Sequence, residues 1–195
     1  MTLISFKEFF DLVVMTLALG YIFSAFMPQQ LFGQRGIYHL LKAQAQGLDW
    51  EALKYAVIIT APAVALHELG HKFVALLFGL SAEFSASYWG LGLGVFLKMV
   101  NAPFIMFVPG YVSIPSDAHV LISGLVALAG PLVNLFLWLG ASVYIKFFKL
   151  NRKQMILAHL TKKINLFLFI FNILPFGFFD GAKVFKAFAY VFSLF

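Results

Sequence analysis

The sequence predicts a polytopic α-helical membrane protein with a small β element, and three observations carry that reading. First, 62% of the 195 residues are hydrophobic and only 11% are charged, with a mean hydropathy of +0.93. Soluble domains run at about 45–50% apolar and about 25% charged, and a chain this short cannot bury such an excess in one core. Second, phenylalanine occurs 25 times, in runs such as Leu166 to Phe171 that water does not tolerate on a surface. Third, four apolar stretches are long enough to cross a bilayer. Disorder, a disulfide scaffold and an ordinary cytosolic enzyme are excluded. The chain has no cysteine, so thiolate catalysis and thiolate metal sites are absent. The net charge of +6 is scattered between apolar stretches. That pattern suits anionic lipid headgroups and predicts no nucleic-acid partner.

Taken in order, the first span runs from about Phe9 to Met27 and reads as uncleaved, with Pro28 ending it. A loop follows, with an amphipathic helix expected around Ile37 to Ala45. The second span covers about Ala52 to Leu80, the third His119 to Phe147, and the fourth starts near Ile164. Pro175 and Gly177 interrupt that last stretch and predict a broken helix, tolerated in hydrocarbon only where it lines a cavity or packs on protein. Between spans two and three, alternation at Phe84–Trp89, the glycines Gly90, Gly92 and Gly94, and the β-branched run ending at Ile114 predict two or three short strands at the membrane surface. The segment Lys146–Lys163 reads as a basic loop. One membrane domain fills residues 1–195, and a site core covers 52–186.

Span two contains His67-Glu68-Leu69-Gly70-His71. On a helix, residues four apart share a face, so both imidazoles can bind one metal ion with Glu68 beside it as a proton acceptor. Three ionisable groups within five residues of a membrane span are expensive and point to function rather than to a satisfied polar cluster. A catalytic zinc site needs a third protein ligand. Asp180 is the outstanding candidate, being the only acidic residue after Asp117. His67 lies 15 residues beyond Ala52 and Asp180 16 beyond Ile164. At about 1.5 Å per residue both stand about 22–24 Å from one membrane face. The bland reading of Asp180 is a helix N-cap. That of Asn134 is an interhelical hydrogen bond beside Gly130. Asp11 is expected at headgroup level, and His39, His119 and His159 at interfaces without metal-ligand spacing.

At this point the chain resembles the site-2 proteases, zinc metalloproteases that cut within membranes. The resemblance rests on His67-Glu68-Leu-Gly-His71, on Gly130-Pro131-Leu-Val-Asn134, and on Asn172-x-x-Pro175 with Asp180-Gly181 downstream. The family's usual Leu before the Asp-Gly pair is Phe179 here. The resemblance implies His67, His71 and Asp180 as ligands of one Zn2+ per chain, and Glu68 as the catalytic base. It also implies Asn172 and Asn134 along the substrate cleft, with one of the two amides stabilising the oxyanion. It further implies transmembrane protein segments as substrates, and a multi-pass place in the cell membrane. The strands of the β element are expected either to pair with an unwound substrate or to act as a lid or anchor. The positive-inside rule puts the face carrying Lys146 to Lys163 in the cytoplasm; the resemblance implies the reverse. The alternative function is a catalytically silent relative that binds membrane helices as a chaperone, against which the intact Glu68 argues. A zinc transporter would need further ligands along spans one and three, which offer almost none.

Overall fold

The computed structural model describes residues 4–28, 50–103, 108–177 and 179–194, so the expected amphipathic helix at Ile37 to Ala45, and His39, lie outside the described residues. Among the described residues, six helices and two strands follow one another: α1 (Phe6–Ser24), α2 (Trp50–Leu77), β1 (Glu83–Ala86), α3 (Tyr88–Met99), β2 (Gly110–Ser113), α4 (Val120–Phe147), α5 (Arg152–Asn172) and α6 (Asp180–Phe192). Helix α4 is the central post. It packs on α2, α5 and α6, while α1 lies on the far side of α2 and supports the strands.

Close approach is achieved with small residues, as expected where van der Waals contact rather than water drives helix association. A Cβ on Gly20 would stand 2.3 Å from Val57 of α2, and one on Gly124 would stand 2.3 Å from the Ala187 Cβ of α6. Among the described residues, α2, α4 and α5 are long and apolar enough to cross a membrane. Helix α1 is not in that set; it carries Lys7, Glu8 and Asp11 near its start. Many large apolar side chains face outward, including Phe73, Phe136 and Phe192, as lipid-facing surfaces require.

Helix α2 stops at Leu77, short of the expected Leu80. Gly79 adopts φ +71°, its amide bonds Leu76 O and the Leu80 amide bonds Ala75 O. That is a Schellman ending, which favours glycine at the left-handed position. The broken fourth element is present as expected, with α5 and α6 separated by residues 173–179.

Two expectations are corrected. The segment Lys146–Lys163 is not a loop for most of its length, because α5 begins at Arg152. Asn151 and Gln154 form a reciprocal capping box there, and Ile156, Leu157, Leu160 and Ile164 pack on Ala52, Ala56 and Ile59. The glycine-rich stretch between the strands is also helical: α3 covers Gly90, Gly92, Gly94 and most of Val95–Val100, so the sheet has two strands. The Ser87 hydroxyl accepts from the Gly90 amide at 3.2 Å and starts that helix. Leu91 and Gly94 are then buried three apart on one face, so the alternation of glycines misleads about the true period.

The strands are antiparallel, with Phe84 opposite Val112 and Ala86 opposite Gly110. Their buried side chains join Met15, Leu19 and Ile22 of α1, Val64 of α2 and Leu91 of α3 in one core. That core seats the sheet on α2 at Val64, about one turn before the HELGH sequence.

Candidate metal centre

His67 and His71 sit one turn apart on α2, both buried, with ring centroids 4.7 Å apart. What lies behind each ring sets its tautomer. His71 Nδ1 is 2.7 Å from the Val126 carbonyl oxygen, which can only accept, so Nδ1 carries the proton. His67 Nδ1 is 2.6 Å from Asn134 Oδ1. The Asn134 Nδ2 group donates to Ala63 O at 3.0 Å and to Asn165 Oδ1 at 2.9 Å. Those two acceptors fix the amide's orientation, so His67 Nδ1 is a donor as well. Both Nε2 atoms are left with lone pairs, and the two face each other at 3.1 Å.

Asp180 completes the group. It is the first residue of α6, with Phe179 at the cap position, and its carboxylate turns to the imidazoles instead of capping the helix. Asp180 Oδ2 stands 3.3 Å from His67 Nε2 and 3.2 Å from His71 Nε2. Three acceptor atoms thus converge with no protein hydrogen between them, an arrangement that calls for a cation. Tetrahedral ligands about 2.0–2.1 Å from zinc stand about 3.3 Å apart. The observed spacings fit. Among the described residues this is the one group of three His, Cys, Asp or Glu side chains close enough to hold a metal ion.

Two glycines make the arrangement possible. A Cβ on Gly130 of α4 would lie 2.3 Å from His71 Nε2 and 2.7 Å from His67 Nε2. Any side chain there would occupy the ligands' own space. A Cβ on Gly181 would lie 2.2 Å from Ile173 O and 2.3 Å from Leu174 O, so the residue after Asp180 must be bare for α6 to start against the break.

The ligand group opens on a cavity of about 280 Å³ whose lining includes Glu68, Asn172 and Lys183. Phe167, Leu168 and Phe171 of α5 supply one apolar wall and Gly110, Tyr111 and Val112 of β2 the other. Glu68 is only 4% exposed and borders this cavity beside both imidazoles. Asn172 is half-buried on the lining, as the sequence leads one to expect. Asn134 is placed differently: it is fully buried behind His67, away from the cavity lining, with its amide committed to three partners. Its position matches the bland interhelical reading and adds the orientation of a ligand.

The exposed strand edge follows from the ladder. The Phe84 and Ala86 amides donate to α1, at Glu8 Oε1 and Asp11 Oδ2, while the Ser87 amide donates to Pro109 O at 3.0 Å. Alternate residues serve opposite edges of a strand. The residues opposite Phe84 and Ala86, which are Val112 and Gly110, therefore turn their main-chain groups away from β1, on the side of the cavity they line.

Sequence reasoning misses several of these groups. Asn165 is 1% exposed and props Asn134; its signal is a lone amide inside the apolar run from Ile164 to Phe171. Asp11, expected at headgroup level, is 1% exposed inside the protein, and Glu8 is 3% exposed and paired with Lys72 of α2. His119 caps α4 and meets Tyr190 edge to face, and His159 is exposed; neither joins the centre.

No protein-family model matches the chain, and no solved structure matches it. Two curated protein sequences do. A protein of Methanocaldococcus jannaschii is 40% identical over 133 residues, covering 67% of this chain and 69% of that protein. A protein of Synechocystis sp. is 29% identical over 141 residues, covering 72% of this chain and 33% of that one. Both carry the name "putative zinc metalloprotease".

Proposed function

The chain belongs to the zinc metalloprotease family of these relatives, and we propose that it works inside the bilayer, as an endopeptidase of the site-2 type that hydrolyses peptide bonds in membrane-spanning segments of other proteins. The observation that carries the reading is one cavity, between helices long enough to span a membrane, that holds the converging His67, His71 and Asp180 together with Glu68 and the outer edge of β2. In this reading α1 and the broken α5–α6 pair join α2 and α4 as a four-span domain in the cell membrane, with residues 52–186 as its protease core.

His67, His71 and Asp180 would hold the zinc, which supplies Lewis acidity toward a peptide carbonyl and toward water. The protein's own groups do the rest. Asn134 and the Val126 carbonyl hold both ligand rings in the Nδ1–H form. Glu68 accepts the proton of the attacking water and returns it to the leaving amine. The Asn172 amide donates to the developing oxyanion. A helical substrate hides its peptide bonds, so a segment must be unwound before attack. The β2 edge supplies main-chain partners for an extended segment, which lies between that edge and the Phe167 and Phe171 wall.

Glu68→Gln tests the reading at one side chain. It keeps shape and hydrogen-bonding capacity while losing the proton acceptor. Zinc content measured on the purified variant should match wild type, a membrane-helix substrate should still be captured, and cleavage should fall by about 10²–10⁴-fold. Cleavage at the wild-type rate would remove Glu68 as the base. If wild type and variant bind helices equally and neither cuts in any lipid, the protein is a silent helix-binding relative instead.

A further inference from the structure

Two buried carboxylates on α1 have no part in the metal centre, yet both point at the strand that backs the cavity. Glu8 Oε1 accepts from the Phe84 amide at 2.9 Å and from Lys72, the residue after the ligand His71. Asp11 Oδ2 accepts from the Ala86 amide at 3.3 Å, and Oδ1 accepts from the Tyr88 hydroxyl at the start of α3. Helix capping explains only part of this. Glu8 closes a capping box with Ser5 through its other oxygen, Oε2, and Asp11, at the second turn, has no capping role. Burying a carboxylate is costly unless donors meet it, and here the donors are the outward amides of β1, two residues apart on one edge.

We propose that Glu8 and Asp11 are positioning residues that stand where a third strand would stand, closing the outer edge of β1 so that an extended chain can add only to β2. An unpaired strand edge is a ready template for another chain. A sheet of two strands offers two such edges, and only the β2 edge lies along the cavity containing Glu68 and Asp180. A carboxylate suits the task because it accepts several charge-assisted hydrogen bonds and offers no donor of its own. The same bonds fix the height of the hairpin. Through Lys72, Glu8 ties Phe84 to the helix turn that carries His71, so the β2 edge is registered against the ligands. This inference rests on the reading that substrate pairs with β2.

The test uses full-length protein in lipid bilayers and a synthetic apolar segment that wild type cleaves, with a backbone N-methyl group moved one residue at a time. In wild type, cleavage should fall at alternate positions, the period of a strand. Asp11→Ala should raise KM about tenfold, the factor carried by a lost charge-assisted hydrogen bond, with kcat within about twofold and zinc content unchanged. Amide exchange at Phe84 and Ala86 should rise, and the alternation should flatten. Asp11→Asn keeps an acceptor for Ala86 and should restore most of the affinity. If Asp11→Ala does not fold, Asp11→Ser, polar but too short to reach Ala86, replaces it in the comparison. Unchanged KM and intact alternation despite faster exchange would overturn the role of α1. So would a fall of kcat and zinc content in step with KM, which would make Asp11 a general support of the fold. Absence of alternation in wild type would instead sink the β2 reading itself.

Discussion

The ligand group at the meeting of α2, α4 and α6 and the clamp between α1 and β1 use the same kinds of side chain to opposite ends. Both bury ionisable groups on helices brought together by the fold. In the clamp every carboxylate oxygen of Glu8 and Asp11 meets a donor, whether Ser5, Phe84 and Lys72 or Ala86 and Tyr88. At the ligand group the imidazoles spend their N–H donors on acceptors behind them, and the three front atoms face only one another. Burial of charge is common to both; satisfaction is not. A polar cluster completed by its neighbours holds a structure in place, whereas one whose acceptors converge on a common point is built for something that comes to it.

That contrast can be broken by removing zinc or its ligands. His67→Ala, His71→Ala and Asp180→Ala should each abolish zinc retention, measured by metal analysis of the purified protein, and cleavage with it. Chelation of wild type should lower the thermal midpoint, because a ligand bound only to the folded state stabilises it. The Phe84 and Ala86 amides should stay protected from exchange. Full zinc occupancy in Asp180→Ala would remove that residue from the ligand set. Next in size is Gly130→Ala, whose methyl would enter the space of both Nε2 atoms. It should displace the rings and cost zinc affinity more than any substitution behind them, while helix content by circular dichroism is retained.

Asn134→Ala sharpens the comparison further. It removes the partner of His67 Nδ1 and leaves that ring free to turn, so zinc affinity should fall by about 10–100-fold, measured by competition with a chelator. Asn134→Asp keeps an acceptor and should lose less. The smallest effect belongs to the solvent side of the clamp. Lys7 bonds Glu83 at 2.7 Å, but the two side chains are 60% and 59% exposed. Lys7→Ala should leave the thermal midpoint and both kinetic constants essentially unchanged, because solvent screens an exposed pair.

Residue type and spacing were enough to single out the candidate ligands on one helix. Imidazoles four apart share a face wherever the helix is placed, and an apolar surround makes such residues expensive to keep, so His67, Glu68 and His71 announce themselves. The break before Asp180 was equally legible, since Pro175 and Gly177 act on their own backbone. Local rules misled at α3 and at the start of α5. There the deciding information was a cap at Ser87 or Asn151 and a burial face set by α1 or α2.

Sequence alone therefore determined that this chain is apolar enough for a membrane, that its second long helix carries two histidines at metal-ligand spacing around a glutamate, and that its last long apolar element is interrupted. Those properties depend on composition and on neighbours within a turn. Tertiary structure alone decided that Asp180 meets the histidines, that Asn134 stands behind His67 rather than in the cleft, that Glu8 and Asp11 are buried against β1, and that β2 borders the cavity. The first three of these join groups 67 or more positions apart in the chain. Such encounters are set by which helices pack and at what height, and no periodicity within a segment encodes that height.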